Sequence, residues 1–291
     1  MEQQSIVEQT MSAPRRGGKS IGHLLLESGK INAQDAERVL KAQKEQNLRF
    51  GEAAIRLGLV KEDDIQQVLA QQFDYPYLAP GEGNFSADLA AAYQPFSPQV
   101  EALRALRSQL MLRWFTAGNK ALAIVGANAG DGASYLAANL AIVFSQLGER
   151  TLLIDTNMRN PQLNKLFKLG NGMGLSDVLA GRADLSTMAR IAHFRDLTLL
   201  PAGTPAPNPA ELLSRGNMMD LLTQLGEHFD VILMDTQPAE EAADFQTVAA
   251  RAQGALIAVR KNKARIREVA GIKDMVQAAG AQVVGAVVND H

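Results

Sequence analysis

Short apolar runs and longer amphipathic stretches alternate along most of this chain. Runs at 121–126, 151–155, 197–201, 231–235, 254–259 and 283–288 have strand length. Between them, stretches at about 134–147, 209–228 and 264–279 fit helices. The alternation predicts an α/β domain over 99–291, built on a mostly parallel sheet with helices on both faces. At its start, Leu103, Leu106, Leu110 and Trp114 recur at helical spacing and predict a helix over 99–115. Residues 79–98 carry Pro80, Gly81, Gly83, Pro95 and Pro98, the composition of a linker.

The first quarter of the chain follows a different rule. Residues 20–43, SIGHLLLESGKINAQDAERVLKAQ, align without a gap on 49–72, RFGEAAIRLGLVKEDDIQQVLAQQ. Gly22 matches Gly51, Gly29 matches Gly58, Leu40 matches Leu69 and Gln43 matches Gln72. Each copy reads as helix, glycine stop, short apolar link and second helix. Gly29 and Gly58 suit helix C-termini, while Asn32 and the acidic Glu62-Asp63-Asp64 suit helix starts. The expected product is a small all-helical domain over 18–78, preceded by a disordered tail over 1–17.

Composition narrows the class. Apolar residues make up 46% of the chain, which is enough for packed cores. A net charge of −2 argues against a nucleic-acid partner. The absence of cysteine excludes disulfides and thiolate chemistry. No apolar run approaches bilayer length, so the expectation is a cytoplasmic protein. Arg15, Arg16 and Lys19 form either a solvated basic cluster or a contact for anionic lipid or phosphate. The four histidines show no metal-ligand spacing.

Chemistry concentrates where strands end. The run Ala121–Val125 leads into a glycine-rich turn, Gly126 to Gly132, then Ser134 and a helical stretch. Strand, glycine loop and helix make a phosphate-binding loop, whose amides and helix dipole face an anion. The nucleotide contacts then fall on Gly126, Gly130, Asp131, Gly132, Ala133, Ser134 and Tyr135. Such loops carry lysine just before the serine, and here that position is Ala133. Two further strands deliver Asp155 and Asp235 to the same end of the sheet. With the Ser134 hydroxyl they form a set of hard oxygen ligands for Mg2+.

Two resemblances follow from these motifs. The tandem repeat resembles the N-terminal domain of type II secretion and type IV pilus ATPases, some of which bind cyclic di-GMP through paired motifs. The Lys44–Leu48 spacer has the length of that family's. The resemblance implies a ligand set of Ile21, Gly22, Leu25, Leu40 and Gln43 with Arg49, Phe50, Gly51, Leu69 and Gln72. Ser20 stands where the first motif expects arginine, and Ala54 where the second expects leucine. The alternative is a packing or protein-docking domain without nucleotide.

Residues 101–291 resemble the cytoplasmic domain of bacterial tyrosine autokinases of capsule and exopolysaccharide export. The likeness rests on Glu101-x-x-Arg104-x-x-Arg107, the loop, Asn139-Leu140-Ala141, Arg159-Asn160-Pro161, Leu199 to Gly203, Asn208 to Leu213, and Asp244. It implies ATP or ADP with Mg2+ as cofactor and transfer of the γ-phosphoryl group to tyrosine. It also implies a membrane chain-length-determinant (polysaccharide co-polymerase) partner that recruits the chain to the inner membrane. Glu101, Arg104 and Arg107 would serve self-association into a ring or dimer; their bland role is a solvated salt-bridge row. The implied catalytic residues are Asp155, Asn157, Asp235 and Arg159.

The departures point to weakened chemistry. The loop lysine is Ala133, the second aspartate of the family's Asp-x-Asp-x-Arg is Asn157, and Gln237 interrupts Asp-Thr-Pro-Pro. Only Tyr75, Tyr77, Tyr93 and Tyr135 are present, with no tyrosine-rich tail. Losing a charged hydrogen bond costs roughly 10- to 100-fold in affinity. Losing a preorganised transition-state donor costs roughly 100- to 1,000-fold in rate. Three functions fit: a nucleotide-binding kinase homologue with impaired transfer (a pseudokinase), an active kinase completed in trans, or a cyclic di-GMP-binding scaffold.

Overall fold

The computed structural model describes residues 20–62, 64–65, 68–69, 78 and 82–290. The expected tail, Gln72, Tyr75, Tyr77, Pro80 and Gly81 lie outside the described residues. The chain divides into two compact units, residues 1–76 and 77–291.

In the first unit, helices α1 (Ile21–Glu27), α2 (Ala33–Gln46) and α3 (Phe50–Arg56) follow the repeat. Ser20 caps α1, and Arg49 occupies the equivalent capping position before α3. Asn32 and Asp35 form a capping box at the start of α2. Gly29 and Gly58 both take φ near +67°, so the chain leaves α1 and α3 through the left-handed region. Leu25, Ile31, Val39, Ala53, Val60 and Ile65 form the core of this unit.

The second unit holds a seven-stranded sheet in the order β3-β4-β2-β5-β1-β6-β7. The strands are β1 (Ala121–Gly126), β2 (Thr151–Asp155), β3 (Ala189–Arg190), β4 (Leu197–Leu200), β5 (Val231–Asp235), β6 (Gly254–Arg260) and β7 (Gln282–Asn289). All neighbours pair in parallel except β3 with β4. Side chains alternate between faces, as a pleated strand requires. Leu122 and Ile124 of β1 enter one core, and Ala121, Ala123 and Val125 enter the other.

One face packs on α4 (Ala90–Tyr93), α5 (Pro98–Leu110), α6 (Ala133–Gln146) and α7 (Leu163–Leu166). The other packs on α8 (Leu175–Leu179), α9 (Pro209–Ser214), α10 (Gly216–His228), α11 (Asp244–Ala252) and α12 (Ile266–Ala278). Residues 136–145 of α6 are all buried, which explains its nearly continuous apolar sequence.

Three details differ from the sequence expectation. The helix over 99–115 ends in a π-helical turn, Met111–Phe115, which seats Trp114 so that its indole donates to the Ala121 carbonyl at 2.9 Å. The stretch 209–228 is two helices, because Arg215 is extended at ψ 155°. The third concerns the expected linker. Leu89, Ala90, Ala91 and Ala92 within it are buried against α6. The buried amide of Asn139 holds this segment. It accepts from Ala91 N–H at 2.8 Å and donates to Asp88 O at 3.1 Å.

Candidate functional site

The loops after β1, β2 and β5 meet at the carboxyl end of the sheet, where an open parallel sheet binds ligands. The first loop forms a tight cradle. Gly130 and Gly132 take φ of 80° and 85°. A Cβ on Gly132 would stand 2.6 Å from the Asn289 side chain, whose amide donates to Asp131 O at 2.7 Å. Ala129 is gripped twice: its N–H donates to Glu240 at 2.6 Å, and its carbonyl accepts from Lys263 at 2.7 Å. Asp131 is buried and turns back to accept from Asn128 N–H at 2.9 Å. This loop leads directly into α6 at Ala133, which places Ser134 and Tyr135 on the first helical turn.

Across the cradle stand two carboxylates. Asp155 and Asp235 pair in register on β2 and β5, and both are fully buried. Asp155 accepts from Asn157 N–H at 3.0 Å and from Leu163 N–H at 3.2 Å. Burial pushes its carboxyl up to about 7, although those amides and the nearby Lys165 work the other way. Among the described residues neither oxygen of Asp235 has a hydrogen-bond partner. Burial first, then the neighbouring Asp155, raise it well above the ordinary carboxylate range, while the adjacent Ser134 hydroxyl opposes the shift.

An unpartnered buried carboxylate beside a second one is a fitting donor set for a hard cation. Ser134, Asp155 and Asp235 would hold Mg2+. Among the described residues no group of three or more His, Cys, Asp or Glu side chains gathers at one point, so water and phosphate oxygens would complete the shell.

Above these groups opens a cleft of about 520 Å3. Its walls include Gly130 to Tyr135 on one side and Asn157, Gln162, Lys165 and Lys168 on the other. A second cleft of about 340 Å3 adjoins the loop at Tyr135, Gln99 and Asn289. Burial raises the Tyr135 phenol, whose oxygen accepts from Gln99 at 2.6 Å.

Of the residues expected at this site, Gly130, Asp131, Gly132, Ala133, Ser134, Tyr135 and Asn157 line the large cleft. Asp155 and Asp235 lie below it on the strand ends, and Gly126 ends β1, where an added Cβ would stand 3.2 Å from the Ala133 methyl. Arg159, one of the implied catalytic residues, is absent from the cleft wall. Its guanidinium faces Asp244 at 3.5 Å, at the first turn of α11. Asn157 has a structural task, since its side-chain oxygen accepts from Asn160 N–H at 3.0 Å.

The motif on α5 is split by its surroundings. Arg104 pairs with Glu101, while Arg107 donates to the Val143 carbonyl of α6 at 2.8 Å. In the helical unit, Arg49 is exposed, and Ile21, Leu40, Gln43, Phe50 and Leu69 are half-buried. Leu25 is fully buried and packs the core instead of facing a ligand. Gly22 and Gly51 are also buried, and a Cβ on Gly51 would meet Ile65 at 3.3 Å. Lys165, Lys168, Glu240 and Lys263 were not foreseen. The signal for the first two was a Lys-x-x-Lys spacing soon after the Asp155 strand.

The profile of the family described as cellulose biosynthesis protein BcsQ matches residues 119–267. The chain is 32% identical over 196 residues to the putative tyrosine-protein kinase CapB of Staphylococcus aureus, covering 67% of this chain and 86% of that one. It is 32% identical over 203 residues to the tyrosine-protein kinase wzc of Salmonella typhimurium, covering 70% of this chain but 28% of that much longer relative. The kinase domain of Escherichia coli tyrosine kinase ETK superposes with a TM-score of 0.66 at 30% identity, covering 69% of this chain and 79% of that domain. No helix among the described residues is long and apolar enough to cross a membrane.

Proposed function

The chain belongs to the bacterial tyrosine-kinase family, and from that premise we propose that it binds Mg-nucleotide in the cleft over residues 126–135 but transfers phosphate poorly. One observation carries the reading. The glycine cradle and the paired buried Asp155 and Asp235 are present, while Ala133 puts a methyl where the loop cation belongs. Binding draws on the backbone amides, Ser134 and a cation held by the two carboxylates. Transfer demands charge stabilisation at the moving phosphoryl group. There Ala133 supplies none, and Asn157 cannot take a proton as a carboxylate does.

The two tyrosines among the described residues lead us to place the acceptor tyrosines on a partner. Tyr93 donates its hydroxyl to Glu82 O at 2.8 Å, and Tyr135 is held by Gln99, so neither is presented to an external active site. The partner we propose is a membrane protein of polysaccharide export that recruits this chain to the inner membrane. Exposed Glu101 and its pair Arg104 on α5 are proposed to contact a second copy.

The test is direct. Wild type and Ala133→Lys are compared for Mg-ATP binding and for phosphate transfer to a co-expressed membrane-partner tail. The expected result is measurable binding in both, at most about 10- to 100-fold tighter in the lysine variant, with transfer roughly 100- to 1,000-fold faster in that variant. Equal transfer rates would remove the impaired-site reading in favour of an active kinase completed in trans.

For the helical unit we propose a regulatory role through cyclic di-GMP, supported by the repeat and by exposed Arg49, which can offer bidentate hydrogen bonds to a guanine edge. Calorimetry with wild type and Arg49→Ala tests it. Heat from wild type that vanishes in the variant supports the role; no heat from wild type ends it.

A further inference from the structure

We propose that Lys165 and Lys168 carry the positive charge that Ala133 leaves out, gripping the terminal phosphate of a nucleoside triphosphate from the wall opposite the loop. The inference rests on the nucleotide reading of this same cleft and names the residues that set its preference between tri- and diphosphate.

Three observations converge on it. First, Lys165 and Lys168 are the two basic side chains among the described residues of the cleft wall. The same cleft is lined by Asp88, Asp131 and Glu241, so a polyanion entering there needs offsetting cations. Second, the other nearby cations are engaged elsewhere. Arg159 faces Asp244, and Lys263 is committed to the Ala129 carbonyl.

Third, a continuous set of hydrogen bonds places Lys165. Asp155 accepts from the N–H of Leu163, the first residue of α7, and so ties that helix to the carboxylate pair. Asn157 receives Asn160 N–H, and Asn160 receives the Gln162 amide through its backbone oxygen at 2.9 Å and its side-chain oxygen at 2.7 Å. The Gln162 side-chain oxygen then accepts from the Lys165 ammonium at 3.2 Å. The turn after β2 thus presents an amine to the cleft from a base built on Asp155 and Asn157. Lys168 follows at φ 51°, a left-handed residue that closes α7 along the same wall.

This arrangement differs in mechanism from a loop lysine. A loop lysine arrives with the amides and touches the phosphates from below. Lys165 and Lys168 belong instead to the turn after β2, and in this proposal they hold the terminal phosphate of the bound nucleotide without taking over the loop lysine's part in the transfer step. They therefore favour ATP over ADP, and they add little where the two nucleotides share contacts.

The full chain is titrated with Mg-ATP and with Mg-ADP by calorimetry. Wild type is compared with Lys165→Ala, Lys168→Ala, the double alanine variant, and the double arginine variant. Thermal melts confirm folding of each. The double alanine variant should lose about 10-fold or more in ATP affinity, as expected for losing charged hydrogen bonds, with ADP affinity within about 3-fold of wild type. The arginine variant should keep most of the ATP preference. An unchanged ATP-to-ADP ratio in the double alanine variant overturns the lysine assignment while leaving the nucleotide reading intact. An equal loss for both nucleotides overturns it too, since the lysines would then touch something other than the terminal phosphate. A wild type that binds neither nucleotide removes both.

Discussion

Asp155 and Asp235 face each other across two neighbouring parallel strands, in register and shut off from solvent. Two such carboxylates cannot both ionise cheaply, because each is desolvated and each repels the other. A divalent cation would offset both effects, which makes it the natural counterpart of the pair.

The pair makes stability depend on pH in an unusual direction. Asp155 is raised from 3.8 to about 7, and Asp235 is raised as well. In this range the folded chain holds protons that the unfolded chain has released. The Asp155 contribution is complete below about pH 4 and is lost as pH rises through about 7, and that of Asp235 has the same sign. Without divalent cation, stability should fall between pH 5 and 7.5, by at most about 1.4 kcal/mol per pH unit for each proton released. Denaturant midpoints across that range test this, and Asp235→Asn should flatten the slope.

Lys263 and Glu240 hold the two backbone groups of Ala129 from opposite loops. Lys263→Ala should free the Ala129 carbonyl and loosen the cradle. Amide exchange across 129–132 is expected to speed up about 10-fold, in line with losing one charged hydrogen bond. Unchanged exchange there would mean that Glu240, Asn289 and Asp131 hold the loop without Lys263.

Asn139 ties the segment ahead of α5 to the nucleotide domain. Replacing it with leucine leaves the Ala91 N–H and the Asp88 carbonyl without this partner. The cost is about 1–3 kcal/mol for each buried group orphaned. Urea unfolding should report the loss, and limited proteolysis should cut within 82–97 in the variant before it cuts the wild type.

Gly254 opens β6 directly beneath the Trp114 ring, and an added methyl would overlap that ring. Gly254→Ala should therefore destabilise by about 1–3 kcal/mol through overpacking. A change in Trp114 fluorescence in the folded variant would locate the strain, and an unshifted unfolding midpoint would argue that the π-helical turn absorbs it.

Much of this molecule is written in short-range pattern. Each of the six expected strands is present; the inner ones are buried on both faces and must be nearly unbroken apolar runs, while the edge strand β7 is apolar in sequence without being buried. Gly130 and Gly132 announced the loop, since left-handed residues there favour glycine. Asp155 and Asp235 announced the site because each ends such a run. Strand β3, only two residues long, left no pattern to read.

Only the tertiary structure decided where the remaining charges point. Arg159 and Lys165 lie six positions apart in one polar turn, and composition cannot rank them. The path of that turn follows from Asp155 accepting amides of Asn157 and Leu163, which sends Arg159 to Asp244 and Lys165 to the cleft. The same holds for residues 89–92, whose prolines and glycines nearby suggested a linker. Their burial depends on Asn139, 48 residues on from Ala91, and a hydrogen bond between such distant positions leaves no local trace.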